Sequence, residues 1–154
     1  YFEEPNTPVF YNNKYVKDNV KMPLAHGERV FGRWEYIRYF MDNSIQVIQP
    51  DIGNAGGITE TKRICDMAYT FDVGVQIHTC ASHLLTPPSV QLEACIPNFV
   101  IHEQHMRSMN PSNQELTAKV VMPKNGYLDV TDDIGIGNEW SDKALASEDQ
   151  ITLN

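Results

Sequence analysis

No stretch of the 154-residue sequence is long and apolar enough to read as a membrane span, because its apolar runs stop after a handful of residues. No basic segment followed by an apolar core opens it, so no signal peptide is read either. Basic residues are scarce as well: twelve Lys and Arg stand against twenty Asp and Glu, a formal charge of −8. With no basic patch to set against phosphate charge, nucleic acid and other polyphosphates are excluded as partners. The three cysteines, Cys65, Cys80 and Cys95, are odd in number and widely spaced, which suits neither a disulfide framework nor a zinc cluster. Reduced thiols and a soluble, cytoplasmic protein are the expectation. An initiating Met is also missing, and Tyr1-Phe-Glu-Glu-Pro5 reads as the last residues of a strand whose beginning is absent. A preceding portion is therefore expected, although the length alone would suffice for one domain with a sizeable core.

What is present is an alternation of short apolar runs with longer segments of helical pattern, the mark of βα units around a parallel sheet. Strands are expected at residues 21–26, 44–49, 73–78 and 98–102. The spacing predicts helices over 33–42, 58–71 and from about Pro87 to Cys95, where proline suits a first turn. Gly53, Gly56 and Gly57 could cradle a phosphate at a helix N-terminus, but a tight strand-to-helix turn explains them without a ligand. After Arg107 the pattern gives way to a mixed polar tail with Pro111, Pro123 and Asn125-Gly126. Four strands with their helices make half of a (β/α)₈ barrel, an α/β fold. An open half leaves two sheet edges unpaired, so the absent portion is expected to supply the remaining strands.

In such a barrel the catalytic groups project from the C-terminal ends of the strands. Here every strand end carries an ionisable residue: Glu3 and Glu4, then Glu28, Asp51, His78 and Glu103. A single carboxylate in that position is ordinarily a solvated loop residue or a helix cap. The recurrence points elsewhere, because capping does not explain a histidine in the same slot. Carboxylates that converge repel one another, and holding them together calls for a hard divalent cation with oxygen ligands, Mg²⁺ before others.

Phe2-Glu-Glu-Pro5, Pro23-Leu-Ala-His-Gly-Glu-Arg29, Gln49-Pro-Asp-Ile-Gly-Asn-Ala-Gly-Gly-Ile-Thr-Glu60 and Ile101-His-Glu103 together resemble the mandelate racemase/muconate lactonising branch of the enolase superfamily. The likeness is strongest to its acid-sugar dehydratases. The resemblance implies that Glu3 and Glu28 are metal ligands ending the fourth and fifth barrel strands, with Glu4 turned elsewhere. It implies a dyad in which Asp51 orients His78 as general base or acid, and it gives Glu103 the role of hydrogen-bonding the substrate carboxylate as charge develops. Residues 1–106 would be the partial barrel, and residues 107–154 the closing segment that returns to an N-terminal capping domain. The third metal ligand and a second acid/base group would precede Tyr1, so this stretch by itself is expected to be inactive and to need the N-terminal remainder of the enzyme. A homo-oligomer is implied too.

Removing a proton beside a carboxylate is difficult because a second negative charge forms next to the first, and a divalent cation with preorganised donors relieves it. Enolase-type sites combine Mg²⁺ with a Lys or His base in this way. Mg²⁺-dependent dehydration of an aldonic or aldaric sugar acid is the leading expectation. Racemisation or cycloisomerisation of another carboxylate, a catalytically dead fragment, and a sugar-acid binding module are the rivals. His26, Arg29 and His83 are candidates for substrate contact, although Arg29 could equally pair with neighbouring acids. His102 and His105 are read as structural.

Overall fold

The computed structural model describes residues 1–147, which divide into two compact units. The first comprises Tyr1–Thr79 with Leu92–Glu103, and the second comprises Cys80–Gln91 with the residues from Gln104 onward. The chain enters the second unit at Cys80, returns to the first at Leu92 and re-enters the second at Gln104.

In the first unit, β1 (Phe2–Glu3), β2 (Leu24–His26), β3 (Val47–Ile48) and β4 (Gly74–Val75) form one parallel sheet in chain order. Parallel neighbours require crossovers, and α1 (Phe10–Asn19), α2 (Gly32–Met41) and α3 (Gly57–Thr70) supply them. The ladders are shorter than the apolar runs, yet pairing continues past them. Gln49 N donates to His26 O at 3.0 Å, Gln76 N to Ile48 O at 3.0 Å and His78 N to Pro50 O at 3.1 Å. The expected strand at 98–102 is reduced to a parallel bridge between Val75 and Phe99. Gly74 permits that approach, since a Cβ there would lie 2.6 Å from Val100 Cγ2.

α3 shows why these segments are helical. Thr61, Ile64, Cys65 and Ala68 fall on one face at helical spacing and are the residues it buries. They meet a core of Leu24, Ala25, Tyr36, Ile48, Val75 and Ile77, each 0% exposed. Every fully buried aliphatic side chain there stabilises the fold by roughly 1.5–3 kcal/mol. The first turn of α2 is capped from α3: Glu60 Oε1 accepts from Arg33 N at 3.1 Å and pairs with Arg33 Nε at 3.1 Å.

α1 occupies an interval in which the sequence predicts no helix. It buries only Asn13 while exposing Tyr11 at 63% and Tyr15 at 73%, so no apolar stripe marks it.

The helix α4 (Thr86–Ala94) has its first residues in the second unit and its last in the first. The remainder of the second unit is largely irregular, as expected, but contains a 3₁₀ turn at Met106–Met109 and the short helices α5 (Pro111–Gln114) and α6 (Asp142–Ser147). Side-chain bonds to the backbone hold it. Asn138 Nδ2 donates to His83 O and Lys119 O at 2.9 Å each, and its Oδ1 accepts from Lys119 N at 3.1 Å and Glu139 N at 3.0 Å. No helix among the described residues is long and apolar enough to cross a membrane.

Candidate active site

The pairing register sorts the two consecutive glutamates. Glu3 pairs with Ala25, Ala25 with Val47 and Val47 with Gly74, so these residues share one row and one face of the sheet. Counting onward by twos brings Asp51 and His78 to that same face, and these two residues form a parallel bridge of their own. Glu4 turns to the other side. Its backbone sits at a φ of 46°, its Oε1 lies 2.5 Å from His26 Nδ1, and its Oε2 pairs with Arg29. Glu4 is therefore neutralised within the chain, whereas Glu3 forms no ion pair among the described residues.

His26 is 0% exposed, and its ring lies 5.9 Å from that of Tyr39 on α2. Burial pushes its imidazole below the usual value, the Arg29 charge adds to this, and Glu4 opposes it. An enclosed, helix-facing ring offers no surface to a substrate, so the contact expected of His26 is not matched by its position. Arg29 meets Glu4, the more ordinary of its two expected partners.

Asp51 is fixed before it meets its histidine. Its Oδ1 accepts from Gly53 N at 2.7 Å and Asn54 N at 3.1 Å, a side-chain turn that leaves Oδ2 free to face His78 Nδ1 at 2.8 Å. The other ring nitrogen of His78, Nε2, lies 3.2 Å from Glu28 Oε2. Burial opposes the imidazolium, but the Asp51 hydrogen bond and the charges of Glu103, Glu28 and Asp51 outweigh it, and His78 is held above the ordinary imidazole value. The turn after Asp51 contains Gly56 and Gly57 at φ of 111° and 86°, conformations that favour glycine without any ligand.

Glu103 is tied to the residue that follows His78. Thr79 Oγ1 donates to Glu103 O, and Thr79 N donates to Glu103 Oε2 at 3.4 Å. Nothing in the sequence distinguishes this threonine; only the pairing of distant segments does. His102 faces away to Glu93 of α4, with Nδ1 2.7 Å from Oε2. His105 accepts from Arg107 N at 3.0 Å and caps the 3₁₀ turn.

His83 belongs to the second unit and is 0% exposed. Its Nδ1 accepts from Val121 N at 3.3 Å and its Nε2 donates to Ser108 O at 2.9 Å. Both nitrogens are engaged in holding that unit together. Among the described residues no group of three or more His, Cys, Asp or Glu side chains is arranged to hold a metal ion.

A parallel βα sheet with a carboxylate-oriented histidine and further acids at its strand ends has the architecture of a portion of a (β/α)₈ barrel. The comparison with known families agrees: the chain belongs to the enolase C-terminal domain-like family, whose model matches residues 1–144. It is similar to a D-galactonate dehydratase of Pectobacterium atrosepticum, 31% identical over 113 residues, which is 67% of this chain and 30% of that protein. It is likewise similar to a D-xylonate dehydratase of Haloferax volcanii, 27% identical over 89% of this chain and 33% of that protein. A solved member of the enolase superfamily from Salmonella Typhimurium superposes with a TM-score of 0.96 at 42% identity, covering 100% of this chain and 40% of that one. An enolase from Agrobacterium radiobacter, solved with sodium and L-malate bound, superposes with a TM-score of 0.85 at 29% identity, covering 99% of this chain and 42% of that one. The chain spans about a third of the length of the curated relatives it matches.

Proposed function

We propose that this chain carries part of the active site of an Mg²⁺-dependent sugar-acid dehydratase, with His78 as the proton-transferring group. One observation carries the reading: Asp51 and His78, distant in sequence, meet at adjacent strand ends with Nδ1 and Oδ2 at 2.8 Å, and the opposite ring nitrogen looks toward Glu28. The names of the dehydratase relatives support the reaction class.

The donor set fits a hard divalent cation. Glu3 and Glu28 are carboxylates ending neighbouring strands, Glu3 has no ion pair among the described residues, and Glu28 pairs only with His78 there. These two residues would hold the ion, and the remaining ligands would come from outside these residues. A bound cation would draw negative charge from the substrate carboxylate and so ease loss of the neighbouring proton.

His78 Nε2 takes the proton from the carbon next to the carboxylate: the C–H bond breaks, an N–H bond forms, and the electron pair becomes a double bond to the carboxylate carbon while its C=O pair moves onto oxygen, giving an enediolate. Asp51 fixes the ring and stabilises the imidazolium through Nδ1–H. Glu103 would hydrogen-bond the carboxylate oxygen on which charge develops, donating its O–H in the carboxylic acid form. The enediolate then expels the adjacent hydroxyl, which leaves as water with the proton returned by His78, and the enol product becomes a 2-keto-3-deoxy acid.

The test is a sugar-acid panel applied to the full product of the gene with Mg²⁺, scored for 2-keto-3-deoxy acids and for exchange of the α-proton into D₂O. The expected result is turnover of at least one aldonate or aldarate, with both signals lost in His78→Asn. Turnover of non-sugar acids alone, or exchange that survives His78→Asn, would overturn the proposal.

A further inference from the structure

Residues 102 and 103 are gripped from two directions, and neither contact belongs to the chemistry just described. On one side is Thr79, only 6% exposed, which gives Glu103 its hydroxyl to the main-chain oxygen and its N–H to Oε2 at 3.4 Å. On the other is Glu93, 5% exposed on α4, whose Oε2 lies 2.7 Å from His102 Nδ1. Burial pushes the Glu93 carboxyl up, against the pull of His102 and of the Ile77 main-chain N–H. Among the described residues the segment is paired through the bridge at Phe99 and the bond from Val100 N to Val75 O at 2.9 Å. A site group displaced by an ångström loses much of its effect, so contacts that fix Glu103 bear on its function.

We propose that Thr79 is a positioning residue for Glu103, with the Glu93–His102 pair as the anchor behind it. The inference rests on the catalytic reading of Glu103. Because Thr79 immediately follows His78, it couples the placement of the acid to that of the base.

The experiment compares Thr79→Val, Thr79→Ser and Glu93→Gln in the full-length enzyme, alone and combined with Glu103→Gln. Thr79→Val keeps the volume and removes the donor. It is expected to lower kcat about tenfold, the size of one buried hydrogen bond, with KM little changed because the Glu103 contact strengthens as charge develops. Thr79→Ser, which keeps the hydroxyl, should recover most of that loss. In the Glu103→Gln background Thr79→Val should cost almost nothing further, since its effect runs through the acid. A purely structural threonine would reduce both backgrounds alike, and that result overturns the proposal.

Amide hydrogen exchange at residues 102–104 of the same full-length variants reads the tether without any turnover. Faster exchange there in Thr79→Val and Glu93→Gln, with protection of β2 and β3 unchanged, supports the grip. Unchanged exchange overturns it. If the wild-type enzyme turns over no sugar acid, the functional reading fails by itself and the exchange measurement decides the grip.

Discussion

The two units of the molecule are held together by different means. The first relies on apolar side chains at regular spacing, with Leu24, Ile48, Ile64, Val75 and Ile77 each 0% exposed. The second relies on polar side chains that catch the backbone: Asn138 with four bonds, and His83 with both ring nitrogens engaged. It leaves Ile134 at 99% and Tyr127 at 78% exposure. Periodic apolar packing can be read from sequence because each residue's role repeats along the element. A polar staple such as Asn138 has no period, and its partners become neighbours only after folding.

Changes on each side of this contrast should fail in different ways. The largest effect is expected at the chemistry proposed for the first unit: His78→Asn should lower kcat/KM by roughly 10³-fold, within the span of general-base contributions, with the circular dichroism spectrum retained. A folding defect instead would move His78 from the site to the scaffold. Next, Ile64→Ala, which empties a fully enclosed position on α3, should destabilise the first unit by about 3 kcal/mol in denaturant unfolding. Asn138→Ala should cost about 1–2 kcal/mol and show in hydrogen exchange near Lys119 and Glu139 before it shows in β2 or β3. Equal loss of protection in both units would dissolve the contrast.

Thiol labelling should separate buried from open positions within the first unit. Burial pushes the Cys65 thiol up to about 12, whereas Cys95 is exposed. At pH 8 a disulfide reagent should label Cys95 promptly and Cys65 only on unfolding. The smallest effect is expected at Ile134→Ser, which removes an apolar group already in water and should change stability by less than about 0.5 kcal/mol.

How far the sequence carried the fold follows from the same contrast. α2 at Gly32–Met41, α3 at Gly57–Thr70 and α4 at Thr86–Ala94 lie within a residue of the predicted spans, because apolar residues recur at helical spacing in the first two and Pro87 marks the first turn of the third. α1 was illegible, since a helix that buries Asn13 and exposes two tyrosines inverts the usual signal. At the candidate site, Asp51, His78 and Glu28 could be picked out because each ends an apolar run, and the structure places the Asp51 and Glu28 side chains within contact of His78. His26 also ends such a run, yet which face it presents depends on register, and register puts it against Tyr39. Thr79 could not be picked out at all, because its partner lies 24 residues away and nothing local marks the pair.

Gly27 makes a last point about the loop that carries Glu28. Its φ is +149°, and a Cβ added there would lie 2.7 Å from both Gln49 N and Tyr36 Oη, while Tyr36 Oη donates to Gly27 O at 2.7 Å. One atom of side chain would wedge between two staves and break the tyrosine's latch at once. The acid one residue downstream is thus aimed by a gap that has to stay empty, so even an alanine at 27 would misdirect residue 28 without touching it.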